Sequence, residues 1–194
     1  MADRFASAAI LNNCNFIDFF QYCRSMKIAG FFILVVHVSF GQKEFKPSQS
    51  FTITGEVKSP TVVQAVDLKK WKIQNIGDVV ITNHLGERKS EAKALKGVLL
   101  KEVLESVEIN AENPRVLSEY YFVCKANDGY TVVYSWNELF NTPTGNTAYL
   151  VTEREGKSLT EMSDAILMIS PGDFKTGRRH MKALASIEVR RAVK

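Results

Sequence analysis

The stretch Tyr120–Trp136 sets two runs of aromatic and β-branched residues on either side of Ala126-Asn127-Asp128-Gly129. Runs of that kind favour extended backbone, and an Asp-Gly pair between them reverses the chain, so the segment predicts a β-hairpin. Asp128 is expected to hydrogen-bond the turn backbone, and Gly129 to take a positive φ at little steric cost. Alternation then puts Tyr120, Phe122 and Cys124 on one face and Tyr121, Val123 and Lys125 on the other. Cys124 closes the more apolar face just before the turn.

The pattern around this hairpin is also mostly extended. Phe51–Val57 alternates apolar and polar residues and stops at Ser59-Pro60, which predicts a half-buried first strand. Asp67 reads as the N-cap of one helical turn, Leu68–Trp71, with Trp71 packed inward. Ile76–Thr82 predicts a second strand and Ser90–Leu95 its hairpin partner. Apolar positions 99, 100, 103, 104 and 107 share one helical face, while Lys101, Glu102 and Glu105 face outward, giving an amphipathic helix. Ser135-Trp136-Asn137-Glu138 spells a capping box for a short helix carrying Leu139 and Phe140. Tyr149–Thr152, Ala165–Ile169 and Ala183–Val189 complete the strands, with a turn at Ser170-Pro171-Gly172-Asp173. The fold class expected is α+β, with a mixed, mostly-β core and short peripheral helices.

A chain of 194 residues with 45% hydrophobic content suffices for one domain with a core of its own. Residues 26–41 run from Lys27 through an apolar core of about 13 residues to Ser39 and Gly41, the order of a secretory signal. The run is shorter than the roughly 20 residues of a membrane-spanning helix and is charged on one flank only, which favours removal over stable membrane insertion. Gln42 would then be the mature N-terminus, residues 42–50 a linker and 51–192 the domain. Residues 1–25 read most simply as an upstream start assigned in error, with a long signal n-region as the alternative. The expected location is periplasmic or secreted. Cys14 and Cys23 precede the cleavage point, so Cys124 would be the single thiol of the exported protein, with no disulfide to brace it. A net charge of +4 does not point to a nucleic-acid binder, whose affinity draws on many neutralised phosphates.

The order of these motifs resembles the molybdopterin-binding oxidoreductase domain of the sulfite oxidase family. The matching pieces are Ile53–Val57 with Pro60, Asp67-Leu68, Lys96–Leu100 with Val103-Leu104, and Cys124 beside Asn127–Tyr130. They continue with Pro171–Asp173, Arg178, Lys182 and Ser186–Val189. The resemblance implies a molybdopterin cofactor and a redox partner protein, with Cys124 as the catalytic thiolate on the metal. Soft thiolate suits such a metal. It also implies that Asp128, Tyr130, Arg178, Arg179 and Lys182 lie around the cofactor. The chain departs from the family in lacking an Arg-Asn-His-type segment before the first strand and in its shorter loops. Asn83-His84 is similar to that segment but follows the second strand, so its role is not carried over.

Lys175–Lys182 is the basic cluster of the chain. One reading makes it a solvated rim; the other makes it an anion site, in which Arg offers a bidentate fork and Lys a point charge to phosphate, sulfate or carboxylate. His180 would titrate there. Two functions follow: a molybdopterin-dependent oxidoreductase or its cofactor-binding remnant, and a cofactor-free module that holds a small anion or a partner protein. The sequence holds no Gly-x-Gly-x-x-Gly, phosphate-binding loop, His-Glu-x-x-His or Gly-x-Ser-x-Gly motif. The three histidines are far apart along the chain, which argues against zinc. Mass spectrometry of the protein from its native cell is expected to find Gln42 at the N-terminus. An intact Met1 or Met26 on the bulk of the protein would exclude cleavage after Gly41.

Overall fold

The computed structural model describes residues 46–193. The upstream extension, the signal segment with Cys14 and Cys23, and residues 42–45 of the linker lie outside the described residues. Ten strands form two five-stranded sheets. The strands are β1 (Ser50–Gly55), β2 (Thr61–Gln64), β3 (Gln74–Thr82), β4 (Arg88–Leu99), β5 (Tyr120–Ala126), β6 (Thr131–Ser135), β7 (Tyr149–Arg154), β8 (Lys157–Ser158), β9 (Leu167–Ile169) and β10 (Leu184–Arg191). Two short helices, α1 (Leu100–Glu105) and α2 (Trp136–Phe140), and several 3-10 turns join them. The expected α+β class, dominated by sheet, is what the structure shows.

The first sheet has the order β2-β1-β10-β5-β6. β10 runs parallel to β1 and antiparallel to β5, which makes the sheet mixed. Register aligns Ile53, Ile187, Cys124 and Val132 in one row across four strands. All four are buried, and the first three have no exposed surface. The second sheet runs β3-β4-β7-β8, with β9 on β7 beside β8. Phe51, Phe122 and Val189 of the first sheet and Leu95, Val98, Leu150 and Met168 of the second share one core.

The β5–β6 hairpin forms as its sequence requires. Gly129 has φ +90° and donates its amide to the Ala126 carbonyl at 3.0 Å, while the Tyr130 amide donates to Asp128 Oδ1 at 2.8 Å. The face carrying Tyr120, Phe122 and Cys124 is buried. The capping box of α2 is also present: the Glu138 amide donates to Ser135 Oγ at 3.1 Å, and the Ser135 amide donates to Glu138 Oε2 at 2.8 Å.

Three local expectations are corrected. Asp67 does not cap a helix; it lies within a 3-10 turn, Ala65–Lys70, that begins two residues earlier, and pairs there with Lys70 at 2.8 Å. Pro60 interrupts the sheet without ending it, because the chain turns and pairs back as edge strand β2. β4 continues past the expected Leu95 to Leu99, the first position expected on the helical face. Gly97 lies so close to β7 that a Cβ there would stand 2.5 Å from the Leu150 carbonyl oxygen, and only a bare backbone allows the ladder to persist. The amphipathic face nonetheless forms: Leu99, Leu100, Val103, Leu104 and Val107 are all buried around the single α-turn and its extension.

Because β10 joins both halves of the first sheet, Ile187→Ala is expected to cost about 2–5 kcal/mol by leaving a cavity at its centre. Val133→Ala, on the half-exposed face of β6, should cost under about 1 kcal/mol. Urea unfolding of the two variants measures both.

Candidate functional site: a cationic cleft where the two sheets meet

A cleft of about 450 Å³ opens between the β5–β6 turn, the β3–β4 turn and the segment that enters β10. Its walls are held by contacts between residues far apart in sequence. The Thr176 hydroxyl donates to the Val80 carbonyl at 2.6 Å and accepts from the Thr82 amide at 3.1 Å, which docks the 3-10 turn Thr176–Arg179 onto the end of β3. Gly177 is required at this junction, since a Cβ there would sit 1.9 Å from the Thr82 carbonyl oxygen. Lys175 Nζ donates to the His84 carbonyl at 2.9 Å. Across the cleft, the Tyr130 hydroxyl donates to the Arg178 carbonyl at 2.7 Å, so the hairpin tip and the basic segment are tied directly.

The cleft brings together four residues singled out in the sequence: Asp128, Tyr130, Arg178 and Lys182. His180, expected to titrate in the basic cluster, lines it too, and the cleft adds Thr82, Asn83, His84 and Lys89. Lys89 and Arg178 form no ion pair among the described residues; Lys182 lies 3.6 Å from Asp164 Oδ2, where Arg154 already binds at 2.7 Å. Burial works against the charge on Asp164, yet Arg154 and Lys182 hold its carboxyl below the usual range. Three cations therefore face one concavity, against the single carboxylate of Asp128 among the lining residues. Thr82 lines the wall as well, and its hydroxyl oxygen is buried without a hydrogen-bond partner. Burial, with the positive charge of Lys182 next, pushes the His180 imidazole down to about 4.

Two sequence candidates stand elsewhere. Arg179 turns away from the cleft: its Nε donates to Asp173 Oδ2 at 2.7 Å, its Nη2 to Asp173 Oδ1, and its Nη1 to Glu138 Oε1 at 3.1 Å. Its guanidinium also lies 4.6 Å from the centroid of the Tyr134 ring. These bonds raise its pKa further, and its role is to fasten the basic segment to α2 and the Pro171–Asp173 turn. Cys124 lies in the core row described above, with no exposed surface, and burial pushes its thiol up to about 12. It does not line the cleft. Neither histidine of the cleft is joined by that thiol, so the geometry offers no cysteine–histidine nucleophile.

Asn83, His84 and Lys89 were not given a site role from sequence. Asn83 Oδ1 accepts from the amides of Leu85 and Glu87, the signature of a tight turn, and that turn carries His84 to the cleft. The Asn-His pair followed by Gly86 was the available signal, and the long-range docking through Thr176 is what the sequence did not show.

These features define an α+β domain whose two sheets meet at a cleft lined by Lys89, Arg178 and Lys182. Among solved structures, the chain is similar to a chain in the crystal structure of the sulfane dehydrogenase SoxCD from Paracoccus pantotrophus, with 13% identity and a TM-score of 0.54. The match covers 72% of this chain and 37% of that one, so this chain corresponds to well under half of that relative's length. At this identity the likeness is one of fold. No protein-family model matches the sequence, and no curated protein matches it.

With the Cys124 thiol at the centre of the core, it is expected to resist thiol reagents in the native protein and to react only on unfolding. Cys124→Ser should lose roughly 1–3 kcal/mol, the cost of an unpaired hydroxyl in an apolar site. A thiol that titrates at once in the folded protein would contradict this placement.

Proposed function

We propose that the protein is an exported binding module that holds a small oxyanion or a phosphate group in the cleft. The observation that carries this reading is the convergence of Lys89, Arg178 and Lys182 on one concavity, with two of the three free of ion partners among the described residues. Arg178 supplies a planar fork and the two lysines supply point charges, a combination that suits a tetrahedral anion. Gly177 allows the backbone of the 3-10 turn to approach the wall. Tyr130 and Asp128 frame the opening, and the Tyr130 hydroxyl fixes the position of Arg178 through its carbonyl.

A second reading, a molybdopterin-binding oxidoreductase-like domain or its cofactor-binding remnant, is supported by the fold likeness to the sulfane dehydrogenase and by the same cations. The two ends of such a cofactor fit differently. Lys89, Arg178 and Lys182 suit its phosphate. The metal end does not fit Cys124, whose sulfur is enclosed in the sheet core and held protonated. Among the described residues no group of three or more His, Cys, Asp or Glu side chains is placed to hold a metal ion. On either reading the chain's own residues, Lys89, Arg178 and Lys182, would bind and orient an anion.

Calorimetric titration of the protein with sulfate and with molybdate at low ionic strength is expected to show binding to the wild type. Arg178→Ala and Lys182→Ala should each weaken it about tenfold, the scale of one charge-assisted hydrogen bond. A wild type that binds neither ion would overturn the reading. Stoichiometric molybdenum in protein from the native host, lost in Cys124→Ser, would overturn it in favour of the cofactor-binding alternative.

A further inference from the structure

His180 occupies a position that anion binding alone does not explain. Its side chain lines the main cleft and also a smaller recess of about 200 Å³ behind it. Its neighbours in the chain are fixed on either side. Arg179 is held by Asp173 and Glu138, and the Met181 amide and carbonyl exchange hydrogen bonds with Met168 at 2.9 and 2.8 Å. The backbone that carries the imidazole is thus held on both sides, and the residue lines both cavities.

Charged groups surround it from every packed element. Lys89 faces it from the start of β4, with Glu91 and Lys93 further along the recess. Arg154 and Glu155 approach from the end of β7, and Asp164 from the segment before β9. Lys182 follows on its own segment, while Arg178, Asp128 and His84 share the cleft. Lys182, Arg154 and Lys89 disfavour an imidazolium, and Asp164 favours one.

We propose that the cleft takes up its oxyanion together with one proton, and that His180 is the group that receives the proton. The inference rests on the oxyanion reading of the cleft and adds its regulation by pH. In the free protein a ring placed among three cations and largely buried stays neutral. A dianion settling between Lys89 and Lys182 offsets the two charges that oppose protonation and adds negative charge beside the ring. Protonation also converts the ring nitrogen that accepts hydrogen bonds into a donor, so that both nitrogens offer N–H to an anion. The free ring titrates near 4 and the liganded ring higher. Between those two pH values binding consumes a proton, and affinity rises as pH falls, by up to about tenfold per pH unit. Affinity is flat below the free value and again above the liganded one.

Sulfate is the probe, because it remains a dianion throughout this range and any proton taken up goes to the protein. Titration calorimetry in two buffers of different ionisation enthalpy counts protons per sulfate. Wild type is expected to take up close to one proton at pH values between the free midpoint near 4 and the higher liganded one, and His180→Gln none, with the pH dependence of its affinity lost. The imidazole resonance of His180 in the wild type gives a second measurement that needs no variant to fold: saturating sulfate should raise its midpoint by about two pH units or more. Sulfate binding without proton uptake, uptake that survives in His180→Gln, or an unmoved midpoint would each overturn the inference while leaving the anion site intact. A wild type that binds no sulfate at any pH would overturn the anion site itself, and the inference with it.

Discussion

The pairing of β10 between β1 and β5 is the constraint on which the rest of the structure depends. β1 begins at Ser50 and β10 at Leu184, so a parallel ladder joins segments separated by most of the described chain. Without β10, the β5–β6 hairpin and the β1–β2 pair would be two separate two-stranded units, each marginal in water. With it, Ile53, Ile187 and Cys124 close into one apolar row, and the segment immediately before β10 is drawn against the second sheet. The cleft exists because that segment is held at both ends, by Thr176 on β3 and by the strand that follows.

What was legible in the sequence is what is decided locally. The β5–β6 turn depends on Asp128 and Gly129, the α2 capping box on Ser135 and Glu138, and the buried face of α1 on a spacing of three and four. Each is settled within a few residues. β2 and the long extension of β4 were hidden because their pairing depends on distant backbone: β2 adds to β1 after Pro60 has interrupted the chain, and Gly97 keeps its extended form because β7 lies against it.

The site divides in the same way. Asp128, Tyr130, Arg178 and Lys182 meet because a turn and a basic segment are readable units and the fold brings them face to face. Arg178 and Arg179 are adjacent and chemically alike, yet one faces the cleft and the other is spent on Asp173 and Glu138. No property of the pair itself predicts which is which; the partners are set by α2 and the Pro171–Asp173 turn. Cys124 shows the converse. Its place at the end of an apolar face was visible, and the same alternation that put it there encloses it between Ile187 and Val132.

The bonds that frame the cleft bear on how fast it can be filled. Its walls are fastened to one another by the Tyr130 hydroxyl on the Arg178 carbonyl and by Thr176 on both sides of β3's last residues, so on the proposed anion-binding reading neither wall must travel for an ion to enter. Encounter is then governed by the field outside the opening rather than by a closing motion, and the exposed Lys89 and Arg178 supply an attractive one. Added salt, which shortens the reach of that field, slows arrival more than departure, and the kinetics of such a site carry their ionic-strength dependence in the association rate.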